Sequence, residues 1–357
     1  MDITFTQADN LKKHPEGSSL GFGTQFTDYM FNMDYEPDLG WHNPRIEPYG
    51  PLQMDPSTMV LHYGQAIFEG LKAYRTKSGE IQLFRPKDNL RRLNRSGKML
   101  CMPELDEELV LRGLIELLKI EKDWVPSEPG TSLYIRPTII ATDPYIGLRS
   151  SHTYRFFIIL SPVGAYYPEG FNPVKIWVTR DYVRAVRGGV GTAKTAGNYA
   201  ASLFATELAQ KEGYTQVLWL DGVELKYIEE VGSMNIFFVI GDELITPELN
   251  RSILSGVTRD SVLKLAKHWG ITTVERKISI DEVYQADADK TLKEVFGSGT
   301  AAVISPIKRI VDRESGKEYT YCCEGKAGPI STKLYKTLKG IQEGELEDKF
   351  GWNMIIE

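Results

Sequence analysis

The sequence predicts an α+β protein of two domains built on mixed sheets. At 357 residues it exceeds the size at which a single hydrophobic core stops growing. Short β-branched and aromatic runs alternate with helix-spaced apolar patterns, and this happens on both sides of a Gly- and Pro-dense stretch, GAYYPEGFNP (164–173). The balance of 42% hydrophobic to 25% charged residues is that of an ordinary globular chain.

Taken in order, KDNLRRLNRSGKML (87–100) returns Leu90, Leu93 and Met99 at near-helical spacing. SLYIRPTIIA (132–141) and TYRFFIILSPV (153–163) read as strands bounded by turn residues. The stretch 164–173 is the expected linker between a small N-terminal domain (1–163) and a large C-terminal domain (174–357) that carries Lys194. Beyond it VKIWVT is a strand, and NYAASLFATELAQKEG (198–213) is a helix whose apolar face is Ala200, Leu203, Phe204 and Leu208, with Gly213 as its stop. TQVLWLDG (215–222) is a strand running into a turn.

Composition also excludes function classes. The net charge of -6, 42 basic against 48 acidic residues, comes with no basic stripe, which argues against nucleic acid as a partner. The apolar runs FFIIL and IFFVI are of strand length, too short to span a membrane, and MDITFTQADNLKKHPEG lacks the apolar core of a secretory signal. Three cysteines, Cys101 with the adjacent Cys322 and Cys323, make no disulfide framework, so a reducing, cytoplasmic location is expected.

The most informative stretch is GGVGTAKTAGNYAAS (188–202), in which Lys194 stands among Gly, Ala and Thr. A solvated loop lysine is the plain expectation. A phosphate-binding loop is a second, since GGVGTAKT is one residue from G-x-x-x-x-G-K-[ST], with VLWLD (217–221) as its acidic strand. That reading fails at Ala193, where the second glycine should stand, and at Gly197, which is expected to interrupt the helix due after the lysine. The third expectation is a reactive amine that condenses with an aldehyde cofactor such as pyridoxal phosphate, its small neighbours leaving room for a flat ring. That chemistry needs an acid for the pyridine nitrogen, a donor for the ring oxygen and a cradle for the phosphate.

Together with LHYGQAIFEGLKAYR (61–75), SLYIRPTII, YIEEVGSMNIF (227–237), LSGVTRDSVLKLA (254–266) and EVFGSGTAAVISPI (294–307), this stretch closely resembles the branched-chain amino acid aminotransferases. These are fold type IV pyridoxal 5'-phosphate enzymes of the D-amino acid aminotransferase-like architecture. The resemblance runs through the tail GELEDKFGWNMII in the family's order. It implies that Lys194 bears the cofactor and shuttles the proton, that Glu230 pairs with the pyridine nitrogen, and that Tyr199 bonds the ring oxygen O3'. It further implies a phosphate cradle of Arg92, Val257, Thr258 and Thr300. The helix start at SGVTRDSVLKLA suits an anion through its N–H groups and dipole.

For substrates, the resemblance implies a side-chain pocket walled by Tyr63, Phe68, Tyr134 and Tyr166. Arg136 would take the side-chain carboxylate of glutamate, and the N–H groups of Thr300 and Ala301 the α-carboxylate. A strand-centre arginine among apolar residues needs an anion in any case. The implied reaction moves the amino group between leucine, isoleucine or valine and 2-oxoglutarate, in a homodimer. A D-amino acid aminotransferase and an aminodeoxychorismate lyase share the fold, but VRGGVGTAK and EEVGSMN favour the branched-chain group. A catalytically silent protein that merely binds the cofactor is a remote alternative. One departure stands out. Where mammalian relatives carry Cys-x-x-Cys after the phosphate loop, this chain has Ala302 and Ser305, so the site is expected to resist oxidation.

Overall fold

The computed structural model describes residues 1–15, 20–164, 171–312, 314–320 and 326–356. Tyr166, Cys322, Cys323 and most of the expected linker lie outside them. The first eight strands are β1 (Thr4–Phe5), β2 (Tyr29–Glu36), β3 (Gly40–Pro48), β4 (Ala66–Phe68), β5 (Leu71–Arg75), β6 (Ile81–Phe84), β7 (Ser132–Ala141) and β8 (Tyr154–Val163). They are followed by β9 (Val174–Val178), β10 (Gln216–Leu220), β11 (Ile228–Val231), β12 (Met234–Ile240), β13 (Glu243–Thr246) and β14 (Thr272–Glu275). The last are β15 (Leu292–Gly299), β16 (Val303–Asp312), β17 (Lys317–Thr320) and β18 (Asn353–Ile356). The helices are α1 (Met59–Tyr63), α2 (Pro86–Met99), α3 (Glu107–Ile120), α4 (Ala196–Lys211), α5 (Val257–His268), α6 (Ile280–Ala288) and α7 (Pro329–Gln342).

The chain forms two compact units. Unit 1 comprises residues 1–166, 193–197 and 340–357; unit 2 comprises 167–192 and 198–339. Two short pieces of later sequence thus group with the first unit, for visible reasons: β18 pairs with β6, and Thr195 bridges Ile67 of β4.

The sheet of unit 1 runs β1-β3-β2-β8-β7-β5-β6-β18, with β4 also on β7. All its pairings are antiparallel except β1 with β3. The two longest strands expected from sequence, β7 and β8, pair in continuous register from Ser132↔Val163 to Ala141↔Tyr154. Helix α3 starts at Asp106, whose carboxylate accepts from the N–H groups of Glu108 and Leu109 and satisfies two otherwise unpaired donors. It then buries Leu114 and Leu117 with Phe31 and Phe156 of the sheet. A Cβ on Gly113 would lie 2.5 Å from the Phe31 ring, so glycine allows that close approach.

In unit 2 the order is β11-β10-β9-β16-β15-β12-β13-β14, with β17 on β16. Because β11 also pairs with β12, the strands from β11 round to β12 close into a ring. Parallel pairs (β9 with β10 and β16, β13 with β14) make the sheet mixed, as the sequence predicts.

Two expectations about α4 need correction. Gly197 does not interrupt the helix; it is its exposed second residue. Nor do Leu203 and Phe204 face the core: they are 66% and 59% exposed, while Ala205 and Ala209 pack on Val217 and Trp219. Alanines let the helix lie close to the sheet, and the large apolar residues Leu203 and Phe204 are left outside. Gly213 ends the following turn at φ +79, as expected.

Candidate active site

In unit 1 the site is assembled on β4. The Lys194 N–H donates to Ser96 Oγ (2.9 Å), and the Lys194 carbonyl accepts from the Phe68 N–H (3.0 Å). Next along the chain, Thr195 Oγ1 donates to the Ala66 carbonyl (2.8 Å). These bonds make residues 194 and 195 a short extension of the sheet and fix the lysine's backbone. Its half-buried side chain then lies with Nζ 4.7 Å from the centroid of the Phe68 ring. The small neighbours have packing reasons of their own: Ala193 is buried, and a Cβ on Gly191 would meet the Ser252 carbonyl oxygen at 2.2 Å.

The same Phe68 ring meets Arg136. Residues 134, 136 and 138 of β7 share one face, and from it the Arg136 guanidinium lies 4.6 Å from the Phe68 centroid and 5.3 Å from that of Tyr134. Arg136 Nη2 donates to the Tyr134 hydroxyl (3.2 Å), whereas its buried Nε has no hydrogen-bond partner among the described residues. An orphaned donor on a permanent cation is a position made for an acceptor that arrives with a ligand. Tyr134 keeps its place because residue 70 is glycine: a Cβ there would lie 2.0 Å from the phenol oxygen.

Lys194, Phe68, Tyr134 and Arg136, far apart in sequence, are therefore one cluster. Tyr63 stands elsewhere, on α1, 40% exposed and donating to the Ile146 carbonyl. Arg92 is buried on α2 with its fork on Glu69, Nε–Oε1 2.6 Å and Nη2–Oε2 2.8 Å. Any phosphate that Arg92 meets would face a guanidinium whose charge is already offset. Its neighbour Arg91 is a surface residue, paired with Asp88.

In unit 2 Glu230 lies on β11 and is 3% exposed; it is no solvated hairpin acid. Its Oε2 is 2.5 Å from Arg184 Nε, and its Oε1 accepts from Asn235 Nδ2 (3.0 Å), the residue opposite it on β12. Asn235 also donates to the Leu254 carbonyl (2.9 Å), just before α5, and a Cβ on Gly256 would lie 2.1 Å from Asn235 Oδ1. One side chain thus ties Glu230 to the N-terminus of α5, where Val257 and Thr258 are buried and no side chain caps the helix. On its other flank Asn235 pairs with Ser298 of β15, which leads into the β15–β16 turn holding Thr300 and Ala301. Tyr199 is half-buried on α4.

Each unit, taken by itself, offers residues that fit part of a pyridoxal phosphate. The half-buried lysine on an aromatic ring suits the aldehyde, the buried glutamate in contact with an arginine suits a protonated pyridine nitrogen, and the helix start without a side-chain cap suits a phosphate. The sequence reading missed Ser96, Glu69, Arg184 and Asn235, which hold the named residues in place. For Asn235 a signal existed, since it closes the quoted EEVGSMN; nothing in VRAVRGG marks Arg184 over Arg187.

Known proteins agree. The family profile described as amino-transferase class IV matches residues 66–310. The chain is 58% identical over 345 residues to branched-chain-amino-acid aminotransferase 2 of Bacillus subtilis (strain 168), covering 97% of this chain and 94% of that protein. The crystal structure of the Escherichia coli branched-chain amino acid aminotransferase superposes with a TM-score of 0.76 at 27% identity, over 92% of this chain and 99% of the other. That of the branched-chain aminotransferase from Thermoproteus uzoniensis with norvaline gives 0.75 at 26% identity, over 92% and 100%.

Proposed function

The chain belongs to the class IV aminotransferase family, and we propose that it works there as a pyridoxal 5'-phosphate-dependent transaminase of branched-chain L-amino acids, with 2-oxoglutarate as amino acceptor. The observation that carries this is the shared ring: Lys194 Nζ and the Arg136 guanidinium both lie within 5 Å of the Phe68 centroid. An amine suited to the cofactor and a cation suited to a dicarboxylic substrate thus meet on an apolar wall suited to leucine. A substrate with an apolar side chain uses the Phe68 and Tyr134 rings, and glutamate uses Arg136 Nε.

When bound, the cofactor supplies an electron sink for the charge left at the substrate Cα. Lys194 Nζ would take the proton from the substrate Cα and hold it for return, which requires an amine held in place by its backbone. Glu230 would pair with the pyridine nitrogen. Tyr199 would donate a hydrogen bond to O3'. The N–H groups of Val257 and Thr258, with Thr300 and Arg92, would hold the phosphate. Thr300 and Ala301 hold the α-carboxylate of either substrate.

The reading includes a homodimer in the cytoplasm. Its support is a pair of exposed apolar patches. Leu61, Tyr63, Ile146 and Leu148 form one in unit 1, where Leu148 is 85% exposed; Leu203 and Phe204 form the other on α4. We assign a second copy of this chain as the occupant, because Tyr63 belongs to the expected pocket wall but is 40% exposed, with its hydroxyl on the Ile146 carbonyl. Among the described residues no helix is long and apolar enough to cross a membrane.

The test is a pair of assays on the holoenzyme. L-leucine with 2-oxoglutarate should yield 4-methyl-2-oxopentanoate and L-glutamate, whereas D-leucine and D-alanine should yield nothing. Turnover of the D-amino acids without L-leucine would assign the chain to the D-amino acid branch of the fold instead.

A further inference from the structure

Unit 2 buries two glutamates side by side and sets one arginine near both. Glu229 and Glu230 are consecutive on β11, each 3% exposed. Strand alternation points them to opposite faces. Arg184 Nε contacts Glu230 Oε2 at 2.5 Å, and Arg184 Nη2 donates to the carbonyls of Gly191 (3.3 Å) and Ser252. Glu229 has no such contact: its Oε1 accepts from Ser252 Oγ and from Asn250 Nδ2 (3.1 Å), and its Oε2 is buried with no hydrogen-bond partner among the described residues. Burial pushes the Glu229 carboxyl above the ordinary carboxylate range, against the opposing pull of Ser252, Asn250 and the more distant charge of Arg184.

We infer that Arg184 is a positioning residue for the cofactor: it holds Glu230, rather than Glu229, as the ionised glutamate and fixes its orientation, so that the pyridine nitrogen keeps its proton. The inference rests on Glu230 as the partner of that nitrogen. A proton moving from the nitrogen to the carboxylate would move toward the guanidinium, so contact with Arg184 opposes the transfer. Without Arg184, Glu230 loses the guanidinium that its Oε2 contacts, and a buried carboxyl deprived of that charge holds its proton more readily. Orientation comes from an ion-pair contact and a hydrogen bond on different oxygens, Arg184 on Oε2 and Asn235 on Oε1, with the arginine itself tied to two backbone carbonyls.

The test compares Arg184→Gln, Arg184→Lys, Glu230→Gln and the double variant Arg184→Gln/Glu230→Gln. Pyridoxal phosphate affinity is measured by titrating each apoprotein, and the ¹⁵N shift of bound [¹⁵N]pyridoxal phosphate reports the nitrogen's protonation directly. Arg184→Gln is expected to weaken cofactor binding roughly ten- to a hundredfold and to move the nitrogen signal from pyridinium toward neutral pyridine. Arg184→Lys should keep the pyridinium signal. In the Glu230→Gln background the arginine change should add almost nothing, because its target is gone. The double variant leaves no unpaired charge at this pair, so it reports even if Arg184→Gln does not fold. An unchanged nitrogen signal in a folded Arg184→Gln, or a full further loss of affinity in the double variant, would overturn the inference. A Glu230→Gln protein that keeps the pyridinium signal would instead overturn the assignment of Glu230.

Discussion

Each unit buries an arginine–glutamate pair among its described residues, and the two are built differently. In unit 1 Arg92 and Glu69 form a fork, two parallel bonds of 2.6 and 2.8 Å between side chains 5% and 0% exposed, with the Gly70 N–H (3.1 Å) on the same carboxylate. In unit 2 Arg184 touches Glu230 at one oxygen, and a neutral amide, Asn235, holds the other. The fork uses both carboxylate oxygens on one cation and fits a clamp between α2 and the chain that links β4 to β5. The single contact leaves a carboxylate that is fixed yet able to serve a third group. How many bonds the arginine makes thus separates a structural pair from a reactive one.

The largest effect is expected where neither pair is touched. Lys194→Ala leaves Ser96, Phe68 and both arginines in place, since Lys194 meets Ser96 and Phe68 through its backbone. It should therefore melt within a few degrees of the parent and lose transamination by more than about a thousandfold. Borohydride reduction and peptide mapping of the parent should place the pyridoxyl label on Lys194. A label on another lysine would move the active centre away from the Phe68 ring.

Next comes the comparison itself. Glu69→Gln strands a buried guanidinium and should cost about 3 to 5 kcal/mol in a denaturant melt of the apoprotein, while cofactor affinity should not fall for the molecules that remain folded, because the Arg92 charge is then no longer offset. Glu230→Gln should cost less stability, because Arg184 keeps its two carbonyls and has Glu229 nearby, and should weaken cofactor binding much more. If the two variants lose stability and affinity in the same proportion, the distinction between clamp and reagent is wrong.

Arg136 sharpens the contrast from the substrate side, as an arginine without a carboxylate contact among the described residues. Arg136→Gln should weaken glutamate and 2-oxoglutarate by roughly ten- to a hundredfold, the worth of a charge-assisted bond of about 1.5 to 3 kcal/mol, and leucine far less. Stopped-flow measurement of the two half-reactions separates them. Equal losses would make Arg136 an α-carboxylate or structural residue.

What was legible in the sequence follows from how local each signal is. β7 and β8 were readable because ten-residue runs of β-branched and aromatic residues admit few other structures. The face of α4 was not, because its alanines and its large apolar residues fall on more than one side and mark no single stripe, and the close approach of Ala205 and Ala209 to Trp219 is a property of the sheet beneath. The same holds in the site. Lys194 stands out by its small neighbours, whereas Arg184 and Glu69 owe their roles to partners 46 and 23 positions away, a distance at which one charge in a sequence looks like any other.

The smallest effect concerns a buried glutamate that has no arginine contact. Glu121 follows α3 as its C-cap, 2% exposed, and its Oε1 accepts from the Tyr29 N–H (2.5 Å). Burial, opposed by hydrogen bonds and aided by the nearby charge of Asp28, raises its pKa to about 7. The helix C-terminus is also unfavourable to an anion. In the unfolded chain the group titrates near its ordinary value of 4.5. Between these two values the unfolded chain gives up a proton that the folded protein keeps, so this contribution to stability is complete below about pH 4.5 and is lost as pH rises through about 7. After allowing for solvent screening, the loss is on the order of 1 to 3 kcal/mol. Glu121→Gln keeps an acceptor for Tyr29 and cannot ionise. Its melting temperature relative to the parent should therefore rise by a few degrees between about pH 5 and pH 8. A difference that stays flat across that window would mean that Glu121 is held as a carboxylate after all, by a donor that outweighs its burial.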